Sequence, residues 1–120
     1  MSHDEDMLAT VYADKRTLYL REDFSPDCLN GVIGNFIRDI VFSLREQHCK
    51  LIGHIKGGIE NESGDFLYFN MTGFNGDPDV NGEVRAMHFG VEMAINIIVF
   101  GVPLSSVKEI HERLLLKYLI

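Results

Sequence analysis

Tryptophan is absent from this chain, cysteine occurs twice and proline three times. Long apolar runs and basic clusters are missing as well. Each shortage excludes something. The longest purely apolar run is Ile97 to Phe100, between Asn96 and Gly101. A membrane-spanning helix needs about 20 such residues, so no span and no membrane partner are expected. The basic residues are scattered under a formal net charge of -7. A nucleic-acid surface needs clustered Lys and Arg, so no nucleic-acid partner is expected either. Cys28 and Cys49 flank a segment with helical patterning, which would hold them about 30 Å apart at ~1.5 Å per residue. A disulfide needs Cα atoms within about 7 Å, so the pair cannot close on itself. Unpaired cysteines fit a reducing cytoplasm, the expected location, and buried structural thiols are their expected role.

What is present suits one globular domain. The chain has 120 residues, of which 46% are hydrophobic and 24% charged, enough for a real core without staples. Residues 1–6 read as a disordered acidic tail, acidic where a secretory signal would be basic and then apolar. Residues 7–120 read as a single domain, with no internal repeat, low-complexity block or linker.

The stretch from Met7 to Glu22 reads as a hairpin turning near Asp14 and Lys15. In that reading Met7, Ala9 and Val11 share a face with Leu18 and Leu20, and Thr10, Tyr12, Thr17, Tyr19 and Arg21 take the other. A helix follows, with Ser25 as cap, Pro26 in its first turn and Asp27 at the positive end of its dipole. Leu29, Val32, Ile33, Phe36, Ile37, Ile40, Val41 and Leu44 form its apolar stripe. Gly31 and Gly34 within it suggest the close approach of another backbone.

"KLIGHIKGGIE" and "DFLYFNMTG" then read as a hairpin. Its loop is Glu62-Ser63-Gly64, with Asn61 opposite Asp65 and Gly64 in the left-handed place. Gly57-Gly58 suggests a bulge or bend. From Arg85 to Val99, Met87, Phe89, Val91, Met93, Ile95, Ile97 and Val99 alternate with other residues at period two, the mark of a strand with one dry face. At fifteen residues it is overlong, so either Gly90 bends it or its end pairs with another subunit. A capping box of Ser106 and Glu109 opens a last helix, with Val107, Ile110, Leu114 and Tyr118 as its stripe. The expected fold class is therefore α+β: a two-layer sandwich, with a mostly antiparallel five-stranded sheet and two helices on one face, in the order ββαβββα.

The stretch "FNGDPDVNGE" places Asp77, Asp79, Asn81 and Glu83 at alternate positions. Its DPDVNG run resembles the start of an EF-hand calcium loop, with Gly82 at the sharp turn and Val84 in the apolar place after it. The resemblance covers about eight residues and then fails, because His88 stands where the loop's twelfth place needs a bidentate Glu. The flanking segments also read as strands rather than helices. A connecting turn is the expected role, and a site for calcium or another divalent cation is the alternative. No cofactor is predicted.

If odd-numbered residues of the last three strands face the helices, the opposite face gathers His54, Lys56, Tyr68, Asn70, His88, Glu92 and Asn96. Tyr12, Tyr19, Phe66 and Ile98 add apolar area to it. Mixed aromatic and polar composition suits a protein contact. The reading that follows is a small accessory or binding module, self-associating as a dimer and open to another protein, acting through that face. The alternative is a small enzyme or ligand carrier. There His54, Lys56, His88 and Glu92 would be the catalytic candidates, and Tyr68, Asn70 and Asn96 the ligand contacts. No enzyme signature supports it: "GHIKGG" lacks phosphate-loop spacing, "EIHERLL" lacks a second zinc-binding His, and no nucleophile elbow occurs.

Overall fold

Five strands and two helices make up the computed structural model, which describes residues 8–21, 25–85 and 90–120. They run β1 (Ala9–Leu18), α1 (Pro26–Glu46), β2 (Leu51–Glu60), β3 (Phe66–Met71), β4 (Asp79–Glu83), β5 (Val91–Phe100) and α2 (Leu104–Tyr118). The sheet is antiparallel throughout, in the order β1-β5-β2-β3-β4, and it does not close into a barrel. The two helices pack against each other, with α2 over β1 and α1 over β3 and β4. The α+β class, the five strands and the two helices are those expected. The order of elements is not: it is βαββββα rather than ββαβββα.

Two local errors produce that difference. The first is the expected hairpin, which is one continuous strand. Asp14 and Lys15 look like turn residues, but in β1 they lie on opposite faces, and each finds a partner there. Asp14 accepts from Arg16 Nε at 2.6 Å, and Lys15 pairs with Glu92 at 2.9 Å. Because the strand never turns, its even-numbered residues stay on one side. Tyr12 and Leu18 are therefore buried while Val11 is 54% exposed, so Tyr12, expected on the open face, lies on the covered one, and Val11 is reversed likewise. The second error is β4, which occupies what read as a connecting loop and pairs with β3.

The period-two reading of β5 holds where the chain is described. Val91, Met93, Ile95, Ile97 and Val99 are all buried, with exposures of 3% or less. The strand does not begin at Arg85, which lies outside any strand and donates its backbone N–H to Asp65 Oδ2 at 2.9 Å. It begins at Val91, after Gly90 in the left-handed region (φ 86). Met87, His88 and Phe89 lie outside the described residues. The described strand has ten residues, so the overlong strand offers no argument for subunit pairing.

The β2–β3 hairpin forms as expected. Asn61 N–H bonds to Asp65 O at 3.2 Å, and Gly64 takes φ 84 in the last loop place. The irregularity in β2 lies elsewhere than Gly57-Gly58. It falls at Gly53, where the ladder skips from Ile52↔Val99 to His54↔Ile98. That extra residue inverts the parity, burying Ile52 and leaving Leu51 55% exposed. Gly57 answers a close approach instead, since a Cβ there would lie 2.0 Å from Ala94 O.

In α1 the expected stripe faces the core, and Leu29, Ile33, Phe36, Ile37, Ile40 and Leu44 are fully buried. Ser25 is its N-cap residue, although the hydroxyl contacts Cys28 Sγ at 3.1 Å rather than a backbone N–H. Among the described residues no other backbone packs on Gly31 or Gly34: nothing lies near the first, and the Arg38 side chain covers the second. Helix α2 starts three residues before the expected site, with Pro103 rather than Ser106 as cap residue and the Pro103 carbonyl accepting from Ser106 and Val107. The capping box does not form, because Glu109 reaches forward to Arg113 at 3.1 Å. Both cysteines are free: Cys28 is exposed, against expectation, and Cys49 is half-buried. Among the described residues no helix is long and apolar enough to cross a membrane.

Candidate functional site

With both helices on one side, the other face of the sheet is uncovered, and the ladder register arranges its side chains in rows. The first row is Ala9, Phe100 and Leu51, and the second is Val11, Ile98 and His54. The third runs Ala13, Asn96, Lys56, Asn70, Asp79 across all five strands. The fourth is Lys15, Ala94, Gly58, Tyr68, Asn81, and the fifth is Thr17, Glu92, Glu60, Phe66, Glu83. The face therefore grades from an apolar end, through a middle of amides and lysines, to an acidic end.

Its relief is two-sided. On β3 the rings of Phe66 and Tyr68 stack with centroids 6.3 Å apart, each 48% exposed, and stand up as a ridge. Gly58 permits this, since a Cβ there would lie 2.4 Å from the Phe66 ring. On the other side of β2, small Ala13 and Ala94 leave a shallow depression of about 440 Å³, bordered by Lys15, Lys56 and Asn96. In that border, Asn96 Oδ1 is buried and has no hydrogen-bond partner among the described residues. A buried polar atom without a partner costs about 1–3 kcal/mol, so such an atom calls for explanation. At the acidic end, the hydrogen bond and charge of Glu92 hold the Lys15 ammonium above its ordinary pKa.

The candidates read from sequence fall into three groups. Lys56, Asn70 and Asn96 share one row and Tyr68 lies in the next, so the structure brings these four together. His54 and Glu92 lie on the same face but do not meet. His54 pairs with Ile98, six residues along β5 from Glu92, about 20 Å at ~3.3 Å per residue. That is far beyond the contact needed for an acid–base pair. His88 lies outside the described residues.

Asp79, Asn81 and Glu83 belong to strand β4 and line up on the open face about 7 Å apart, rather than wrapping a loop around one point. Asp77 faces away to Arg38 at 3.2 Å. Among the described residues no three His, Cys, Asp or Glu gather as metal ligands.

A polar cluster that sequence reasoning passed over lies beneath the covered face, where α2 crosses β1. His111 is 1% exposed, its Nδ1 is 2.8 Å from the Tyr12 hydroxyl, and its Nε2 has no partner among the described residues. Beside it Arg16 bridges Asp14 and Glu112. Burial pushes the His111 pKa down to about 4 and raises that of Tyr12. A signal was present in the sequence: His111 falls four residues after Val107 and three before Leu114, squarely in the apolar stripe.

No known protein family and no curated protein matches the chain. Among solved structures, a crystal structure of a zinc-bound triple mutant of the YjiA GTPase matches with a TM-score of 0.46 and 10% identity. The match covers 88% of this chain and 29% of that one. A likeness of this size carries no functional weight.

Proposed function

We propose that the protein is a binding module that pairs with a second copy of itself through the open face of its sheet. The observation that carries this reading is the relief of that face: an aromatic ridge on one side of β2 and a depression of small residues on the other. β2 is the central strand. A two-fold axis along it sets β3 of one copy over β5 of the other and keeps rows in step, within the roughly 30° by which packed sheets turn. Tyr68 then lies over Ala94 of the second copy, and Asn70 over Asn96. The apolar first and second rows close on each other at one end, burying Val11, Leu51, Ile98 and Phe100.

Two contacts oppose the pairing. Lys56 lies on the axis and faces its own copy, and Glu60, which shares β2 and the open face with Lys56, also meets its own copy. Like charges directly opposite are destabilising. This makes the reading sharp. In sedimentation at high micromolar concentration, the chain should run above its 13.6 kDa monomer mass. Tyr68→Ala should dissociate it, whereas Lys56→Met should tighten it and added salt should strengthen the wild type. A clean monomer under these conditions, or a dimer indifferent to both substitutions, would rule the reading out.

A further inference from the structure

A second surface lies on the helix layer, away from the open face and independent of it. Arg38 and Arg45 stand seven residues apart on α1, two turns of helix, so both point the same way about 10 Å apart. Between them Phe42 is 59% exposed, although it stands on a helix whose neighbouring apolar residues are buried. Residues 72–78 run alongside, and Phe74 slides its ring beneath the Arg45 guanidinium, 5.3 Å from ring centre to Cζ. Met71, 5% exposed, helps to line a groove of about 200 Å³ between helix and loop.

The charges of the groove are unevenly used. Arg38 donates to Asn35 Oδ1 at 3.1 Å and to Asp77 Oδ1 at 3.2 Å. Arg45 donates to the Phe74 carbonyl at 3.1 Å and meets no carboxylate among the described residues. In a chain of formal net charge -7, a guanidinium without an acid, next to one already holding an acid, is a local reversal of sign. Asp77 shows that a carboxylate fits the rim at Arg38, and the position at Arg45 is its counterpart.

We infer that this groove receives an extended acidic peptide, one apolar side chain entering between Phe42 and Phe74 while a carboxylate on either side meets Arg38 and Arg45. The volume selects a peptide over a cofactor. Drug-sized ligands occupy about 300–1,000 Å³, and this groove holds about one side chain. In an extended segment, alternate side chains share a face and lie about 7 Å apart. The pattern is therefore acidic–x–apolar–x–acidic, spanning about 13 Å, and the long arginine side chains absorb the difference from 10 Å.

The test uses the full chain and a capped peptide, Glu-Ser-Phe-Ser-Glu, followed by nuclear magnetic resonance and by anisotropy of a labelled copy. Saturable binding is expected, with shifts centred on the backbone around Phe42 and Phe74. Arg45→Glu should weaken it about tenfold or more, and Arg45→Gln by less. Asp77→Asn, which releases Arg38 from its own acid, should tighten it. Both arginines are exposed, and because Arg45 also holds the Phe74 ring and carbonyl, Arg45→Gln, which disturbs those contacts without adding an acid, separates charge from the position of the loop.

The inference fails if the peptide with Lys in place of Glu binds as well, or if Arg45→Glu changes nothing. It also fails if the shifts fall on the open sheet face. Free benzoate binding there more tightly than the peptide would assign the groove to small carboxylates. Shifts around Phe42 that grow with protein concentration alone would assign it to a second copy. Either result overturns the peptide.

Discussion

Phe69 and Tyr68 are neighbours in β3, yet one is 1% exposed beneath the helices and the other 48% exposed on the open face. The whole sheet repeats that contrast. The same strands supply a covered face of Ile, Val, Leu and Met, and an open face of lysines, amides, acids and aromatic rings. Strand alternation makes both faces at once, so a single register determines what folds the protein and what it shows to others. The difference between them is energetic: the covered face contributes stability, and the open face leaves its aromatic area unspent.

The sharpest way to break this comparison is to truncate both neighbours. Phe69→Ala removes a buried ring that touches the space beside Gly57, and should destabilise by about 3–5 kcal/mol. Tyr68→Ala, at dilutions where the chain is monomeric, should change stability by under about 1 kcal/mol. Urea unfolding of the two variants measures both. Comparable losses would mean that the open face is packed, and the surface assigned to it would not exist.

A smaller effect distinguishes the faces by pH. Beneath the sheet, His111 faces Tyr12, with Asp14, Arg16 and Glu112 around it. Its pKa falls from 6.5 in the unfolded chain to about 4 in the fold because burial disfavours the imidazolium. The folded state therefore binds the proton less readily than the unfolded one. The neutral ring's contribution is complete above pH 6.5 and drains away as pH falls toward 4, for a total of about 3 kcal/mol. Below that range this group takes nothing more. A double variant, His111→Phe with Tyr12→Phe, replaces both partners with rings of similar size and should lack this slope. Equal pH dependence of the two proteins between pH 6.5 and 4 would show that His111 is not the titrating group.

These faces were legible in sequence to different depths. The period-two run through Val91 and Val99 identified β5 and its dry side because one buried face leaves a pattern every second residue. The β2–β3 hairpin was legible because loop length and Gly64 both demanded the same register. Lys56 beside Asn70 followed directly from it.

What failed was chemistry that local signals describe ambiguously. Asp14-Lys15 has the composition of a turn, and it is the long-range ladder to β5, with Lys15 paired to Glu92, that makes it strand. Asp79 to Glu83 looks like a loop because β4 is an edge strand of polar residues, held by its ladder to β3 and not by its own propensity. The gap between His54 and Glu92 was invisible for another reason. Sharing a face follows from parity, but distance along it depends on strand order and on the bulge at Gly53.

The smallest effect concerns the covering layer itself. Gly31 lies inside α1, on its exposed side, and beyond its own helix turn no atom of the described residues comes within 4 Å of where a Cβ would sit. It has ordinary helical backbone geometry and no positive φ. Among the described residues nothing requires a glycine there. Gly31→Ala should therefore stabilise the protein by about 0.5–1 kcal/mol, through the lower entropy of the unfolded chain. Gly34 is the natural control, because a Cβ there meets Arg38 Nη1 at 3.2 Å, and the guanidinium must shift to admit it. Thermal unfolding should rank Gly31→Ala above wild type and above Gly34→Ala. If Gly31→Ala is neutral or harmful instead, that side of α1 is not open space in solution, and something covers it.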